Sequence, residues 1–106
     1  MKKVNIVLSL GALLLAAGVP AAAPITVSQK GLQFSSPELT VSKGQVVVFM
    51  NDDRTPHNIT VTGAGVNLNS GLQPPGTEFR VPFSKAGEYA VSCGIHPKMK
   101  LSVVVK

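Results

Sequence analysis

The most informative stretch of this 106-residue sequence is Tyr89-Ala90-Val91-Ser92-Cys93-Gly94-Ile95-His96-Pro97-Lys98-Met99. Its first half has the alternation of a β-strand with one buried face, which places Tyr89, Val91 and Cys93 together. Its second half reads Cys-x-x-His-x-x-Met and contains the only cysteine, one of the two histidines and a methionine. A thiolate, an imidazole and a thioether in one short segment favour copper over a hard cation.

The second histidine, His57, lies upstream at the start of a segment that also alternates, with Ile59 and Val61 on its face. Two imidazoles, one thiolate and a weakly held axial thioether are the ligands of blue-copper electron-transfer sites. This set suits both Cu(I), which favours sulfur, and Cu(II), which tolerates nitrogen. The sequence therefore predicts one copper ion bound by His57, Cys93, His96 and Met99, and the transfer of single electrons.

The rest of the chain predicts short strands separated by turns, without helical periodicity. Strands are expected over 25–28, 38–41, 45–51, 57–62, 77–83, 88–93 and 100–106, with a short extended piece at 32–34. Pro82 lacks a backbone N–H and places its strand at an edge or a bulge. The segment 63–76 is expected to be the longest irregular one, near the working end or along an edge. The fold prediction is all-β, a single-domain Greek-key β-sandwich of about seven or eight strands.

Three residues beside the candidate ligands have expected supporting roles. The backbone N–H of Asn58 is placed to reach the Cys93 sulfur, and its side-chain amide either ties the two ligand-bearing segments together or is solvated. Gly94 permits an unusual φ and a close approach of backbone to metal. Pro97 stiffens the loop 94–98, which is expected to carry the ligands that follow Cys93.

These motifs carry a family resemblance. His57-Asn58, Tyr-x-x-x-Cys at 89–93 and Cys-x-x-His-Pro-x-Met at 93–99 resemble the plastocyanin and amicyanin family of cupredoxins, and the short gap between His96 and Met99 is closer to amicyanin. The resemblance covers 25–106 and implies a type 1 copper site in a cupredoxin-like sandwich.

The resemblance also implies where redox partners bind. In such proteins the loop histidine, here His96, lies at an apolar surface and electrons pass through it, so Ile95 and Pro97 belong to the expected docking patch for a protein donor and acceptor. Lys98, Lys100 and Arg54 give that patch a basic rim.

The amino terminus has the layout of a secretory signal peptide. Lys2 and Lys3 precede an apolar run over 6–17 and then small residues, so cleavage is expected after Ala21, within about two residues. An uncleaved membrane anchor is the alternative, although the apolar run is short for a span. The expected product is an exported, periplasmic or extracytoplasmic domain over 22–106. An unpaired cysteine in an exported protein needs an explanation, and a metal ligand supplies one.

Other functions for these residues fit the sequence less well than electron transfer does. A copper enzyme needs further histidines, and the chain has only two. A hydrolytic Cys–His pair needs an orienting acid, and Glu88, the nearest, should face outward. Copper storage, delivery or sensing would use the same ligands, and structural zinc would gain little from Met99.

The charge pattern of the sequence limits the classes of molecule that it is expected to bind. The formal net charge is +5, but basic residues form no run with interleaved aromatics, so nucleic acid is not an expected partner. Asp52 and Asp53 are interpreted as loop residues whose side chains hydrogen-bond the nearby backbone, not as ligands of a hard cation. We expect a monomer without stable membrane insertion after cleavage.

Overall fold

A computed structural model describes residues 22–106, so the predicted signal peptide lies outside the described residues. The described part forms eight strands, namely β1 Ile25–Gln29, β2 Glu38–Val41, β3 Gln45–Asn51, β4 Ile59–Gly63, β5 Val66–Asn69, β6 Glu78–Phe83, β7 Gly87–Cys93 and β8 His96–Val105. Within these residues, no helix has the length and apolar character that crossing a membrane requires.

The strands form two sheets, ordered β1-β3-β6 and β2-β8-β7-β4-β5. β1 pairs with β3 and β2 with β8 in parallel, and the other pairs are antiparallel. The chain crosses between sheets after β1, β2, β3, β5 and β6. Buried side chains from both sheets form one core, in which the rings of Phe83 and Tyr89 meet edge to face at 5.1 Å. The prediction of an all-β sandwich is confirmed.

The predicted faces of the strands are also confirmed. Tyr89, Val91 and Cys93 of β7 are all buried, as are Leu101, Val103 and Val105 of β8. Alternation predicted these faces because successive side chains of a strand point to opposite sides. β6, which contains Pro82, lies at the edge of its sheet, as expected for a residue that cannot donate a ladder hydrogen bond.

The expectation of an irregular segment over 63–76 is wrong in its first half. β4 extends to Gly63 and pairs with β5, and the two residues between them, Ala64 and Gly65, have φ of 47° and 79°. Two successive positive φ angles are the geometry of a tight hairpin turn. Asn67 and Asn69 disfavour a strand by propensity, but the hairpin pairing overrides them. β5 forms the edge of the five-stranded sheet.

The expectation that Leu32 is extended is also wrong. Lys30 and Gln33 exchange backbone hydrogen bonds of 2.9 and 3.3 Å, and the residues between them, Gly31 and Leu32, have φ of 64° and 57°. These residues make a second tight turn, the Lys30–Gln33 turn, which follows β1. Leucine rarely adopts a positive φ, so a leucine at this position does not predict a turn.

Candidate metal centre

Two histidines and the cysteine meet at one end of the sandwich. The Nδ1 atoms of His57 and His96 are 3.2 Å apart, and the Cys93 sulfur lies 3.6 Å from the first and 3.7 Å from the second. The side chains of His57 and Cys93 are buried, and that of His96 is partly exposed. Two imidazole nitrogens and one thiolate directed at a common point fit the donor chemistry of copper.

Met99, the fourth candidate, is 2% exposed and lies in β8 three residues after His96. His96 is itself the first residue of β8 and is paired with Cys93 at the end of β7. The expected ligand-bearing loop 94–98 is therefore shorter than predicted, because β8 begins two residues after Gly94. His96 is positioned by its pairing with Cys93, whereas Met99 lies in an irregularity of the β7–β8 ladder, between the paired residues His96 and Lys100.

His57 lies just before β4, which begins at Ile59 and not at His57 as predicted. It forms an isolated antiparallel bridge with Gln73: its N–H donates to the Gln73 carbonyl at 3.0 Å, and the Gln73 N–H donates back at 2.7 Å. The predicted inward direction is confirmed, since His57, Ile59 and Val61 are all fully buried. The two hydrogen bonds to Gln73 thus fix the backbone of His57.

Asn58 links the two ligand-bearing segments through its backbone. Its N–H donates to the Cys93 sulfur at 3.2 Å, as predicted, and its carbonyl accepts from the Gly94 N–H at 2.8 Å. Its side-chain amide instead donates to Asn69 of β5 at 2.9 Å. The suggested amide tie between ligand segments is therefore wrong, and the backbone makes that connection.

One of the two roles predicted for Gly94, an unusual φ, is wrong. Gly94 is absent from the residues with positive φ, so an unusual backbone angle does not explain it. A Cβ at this position would lie 2.6 Å from the side-chain oxygen of Asn58, well inside contact distance. Glycine is needed here because Asn58 occupies the space beside it.

Asp53 contacts the far side of His57 and was not identified as a site residue from the sequence. Its Oδ2 accepts from His57 Nε2 at 2.8 Å and from the Leu32 N–H at 3.0 Å, and its Oδ1 accepts from the Gly31 N–H at 2.7 Å. Burial raises the pKa of this carboxyl, but the hydrogen bonds from His57, Leu32 and Gly31 outweigh it and lower the pKa below 3.8. An ionised Asp53 requires a proton on Nε2, which leaves the Nδ1 lone pair of neutral His57 for a metal.

A buried polar network behind His57 was also missed. Gln73 donates from Nε2 to the carbonyls of Phe49 at 2.9 Å and Thr77 at 2.8 Å, and accepts from Gln29 at 3.0 Å. Asn51 donates to the Gln73 carbonyl at 2.9 Å. Glutamine and asparagine are usually exposed, so sequence pattern gives little sign of such a network.

The surface around His96 is apolar with basic residues beside it. Ile95 is 50% exposed, and Pro97 is exposed on the other side of the histidine. Lys98 and Lys100 are exposed further along β8. Ile95, Pro97 and Lys98 line the same surface cavity as His96, the one partly exposed residue of the three that converge.

Comparisons with known proteins agree with the ligand pattern. The family model of copper-binding proteins of the plastocyanin/azurin family matches residues 21–106. Amicyanin from Paracoccus versutus is 29% identical over 86% of this chain and 70% of its own, and chloroplastic plastocyanin from Chlamydomonas reinhardtii is 31% identical over 80% and 65%. The structure of a reduced mutant of amicyanin matches with a TM-score of 0.72 and 30% identity, over 86% of this chain and 89% of the other. The chain thus spans about two thirds of the length of these curated relatives.

Proposed function

Because the chain belongs to the copper-binding plastocyanin/azurin family, we propose that it carries single electrons between redox proteins, using one copper ion that alternates between Cu(I) and Cu(II). Family membership confirms that the cofactor is copper. It also confirms that the protein belongs to a class of electron-transfer proteins and not to a class of enzymes. The sequence agrees, because both of its histidines lie in one site and no histidine remains for a second copper centre.

His57 Nδ1, Cys93 Sγ and His96 Nδ1 would hold the copper ion, with the Met99 thioether as a weaker fourth ligand. The observation that carries this proposal is the convergence of those three donor atoms, each within 4.8 Å of the others. When bound, copper supplies a one-electron couple that the protein side chains lack. Met99 is buried, belongs to the same strand as His96 and lines the same surface cavity.

The surrounding residues support electron transfer by holding the ligands in place. His57 is fixed by the Gln73 bridge on its backbone and by Asp53 on its ring. Cys93 receives a hydrogen bond from Asn58 at its sulfur. Such contacts restrict ligand movement and tune the reduction potential through the charge on the sulfur.

Export and docking belong to the same proposal. The signal-like segment over 1–21 would deliver the domain to the periplasm or another extracytoplasmic compartment, where it would act as a monomer. A redox partner would dock on Ile95 and Pro97 and exchange an electron through the partly exposed ring of His96. Lys98 and Lys100, and Arg54 in the connection before His57, would form the basic rim.

A visible spectrum of the Cu(II)-loaded protein tests the proposal. An intense thiolate-to-copper band is expected, and it should disappear in Cys93→Ser but remain in Ser92→Ala, a neighbouring change on the outer face of β7. The band should bleach on uptake of one electron per chain and return on reoxidation. A colourless protein, or one that holds zinc in preference, would overturn it.

Copper storage or delivery would use the same ligands as electron transfer. The rates of electron self-exchange and of copper loss distinguish these functions. Fast electron self-exchange between oxidised and reduced protein, with slow copper loss to an excess of chelator, is the result expected of an electron carrier. Slow self-exchange with rapid copper loss would assign the site to delivery instead.

A further inference from the structure

A groove of about 500 Å³ runs beside His96, between the Lys30–Gln33 turn and the start of β8. Leu32 lines one side of it, and Ile95, His96, Pro97 and Lys98 line the other. Only the second of these sides belongs to the segment that contains the candidate ligands Cys93, His96 and Met99. The other comes from a turn that is distant in sequence and contains no candidate ligand.

Leu32 is held exposed in a conformation that is unfavourable for leucine. Its side chain is 48% exposed, and its φ is 57°. Asparagine or glycine is the usual residue at such a position. The backbone conformation therefore does not favour leucine here, whereas an apolar contact between its exposed half and a partner does.

The turn that presents Leu32 is connected to the metal centre. Asp53 accepts hydrogen bonds from the backbone of Gly31 and Leu32 and also from the ring of His57. The position of Leu32 relative to the site is thus set by the carboxylate that orients a ligand. This connection makes the turn a fixed part of the surface around His96.

The charges of the groove indicate the chemistry of its partner. Lys98 is the one charged residue among those that line it, and where the groove continues along the surface toward Pro37, Lys98 and Lys100 are the charged residues. Neither part is lined by a carboxylate. A complementary surface carries acidic residues around an apolar contact.

We propose that the Lys30–Gln33 turn is part of the docking surface, and that Leu32 together with Lys98 and Lys100 selects a redox protein whose contact surface is apolar at its centre and acidic at its edge. This inference rests on the proposed electron-transfer function and adds the partner's chemistry to it. The groove borders the partly exposed ring of His96, through which electrons would pass, so a redox protein and not a lipid surface is the expected occupant.

Binding to defined surfaces tests this proposal with a readout that does not depend on electron transfer. Copper-loaded protein is passed over gold bearing mixed carboxyl- and methyl-terminated alkanethiols, and over gold bearing amine- and methyl-terminated ones, and the bound mass is measured by surface plasmon resonance. Binding to the acidic-apolar surface alone is expected, and it should weaken with added salt.

Matched variants assign the binding to the groove. Leu32→Asn keeps a residue that tolerates the positive φ and should weaken binding about tenfold, the loss expected on removing one important contact residue. Leu68→Asn, at a leucine on β5 that is 39% exposed and does not line the groove, should leave binding unchanged. The double variant Lys98→Glu with Lys100→Glu should abolish binding. Lys43→Glu with Lys106→Glu, which changes net charge equally at the other end of β8, should preserve most of it.

Wild-type binding by Leu32→Asn, or equal losses in both charge-reversal pairs, would overturn the proposal. A final experiment measures binding to vesicles of phosphatidylglycerol. Binding with the same dependence on Leu32 and Lys98 would assign the groove to a membrane and would also overturn the proposal. The visible copper band and its one-electron bleaching are recorded for each variant. A protein that keeps both but fails the binding test loses the docking assignment and not the electron-transfer function.

Discussion

The carboxylate of Asp53 hydrogen-bonds the ring of His57 on the side away from the other candidate ligands, with 2.8 Å between Oδ2 and Nε2. The contact has two consequences. It leaves Nδ1 as the acceptor nitrogen of the ring, which is the atom that faces Cys93 and His96. It also restricts ring rotation, so the donor atom stays in place.

Removing this carboxylate should weaken copper binding. We expect Asp53→Ala to lower Cu(I) affinity by about 10- to 100-fold, the usual effect of losing a hydrogen-bond partner of a ligand histidine. The measurement is a competition with a Cu(I) chelator of known affinity. Asp52→Ala is the control, since Asp52 contacts Ser28 and not His57. Equal affinities for the two variants would show that the contact does not orient the ligand.

The close approach of Gly94 to Asn58 gives a second prediction. Gly94→Ala would place Cβ 2.6 Å from Asn58 Oδ1 and force that side chain away from Asn69. We expect a loss of about 1–3 kcal/mol in the free energy of unfolding, as for other overpacked positions. Denaturant unfolding of metal-free protein measures it, because bound metal would add its own stabilisation.

A double-mutant cycle shows whether this contact causes the loss. In an Asn58→Ala background the obstructing oxygen is gone, so adding Gly94→Ala should cost much less than it does in the wild type. Additive losses would mean that Gly94 is required for another reason, such as the conformation of the turn between β7 and β8.

Gln73 should contribute to stability through its buried hydrogen bonds. Gln73→Leu removes the acceptor of the buried Gln29 Nε2 and the side-chain donor to the Phe49 carbonyl, and each buried unsatisfied group costs about 1–3 kcal/mol. We expect a loss of about 2–4 kcal/mol on that basis. The exposed Gln33→Leu is the control, with an expected change of about 0.5 kcal/mol or less. A Gln73→Leu protein as stable as the control would show that these hydrogen bonds do not contribute to the free energy of unfolding.

The ligand motif and the strand faces could be predicted because they depend on local pattern. Alternation alone placed Val91 and Cys93 inward, and residue chemistry alone brought His57 into the same site. Asp53 was missed because its partners, the Gly31 and Leu32 amides, come from a turn that only tertiary structure brings near. The start of β8 at His96 was missed for a related reason: His96 pairs with Cys93 across an irregularity at 97–99, where the sequence pattern predicts a loop.

Gly63 provides the last prediction, since two glycines with positive φ differ in their surroundings. At Gly63, with φ of 142°, a Cβ would clash with the Glu88 carbonyl oxygen and lie 2.8 Å from the Tyr89 Cα. Both are backbone atoms of β7 and cannot move aside without breaking the sheet. At Gly44, with φ of 88°, a Cβ would meet nothing within 4 Å. Only conformational strain opposes alanine at Gly44, whereas strain and a clash oppose it at Gly63.

We therefore expect Gly44→Ala to cost about 1–2 kcal/mol, the penalty for a left-handed non-glycine residue, and Gly63→Ala to cost about 4 kcal/mol or more, the range of severe backbone and packing defects. Urea unfolding of the two metal-free variants measures the difference. The visible spectrum of each copper-loaded variant serves as the control, because neither residue belongs to the metal centre and folded protein should keep the wild-type band. Equal costs would show that β4 and β7 separate enough to accommodate the methyl group, and that close contact at this point does not hold the five-stranded sheet together.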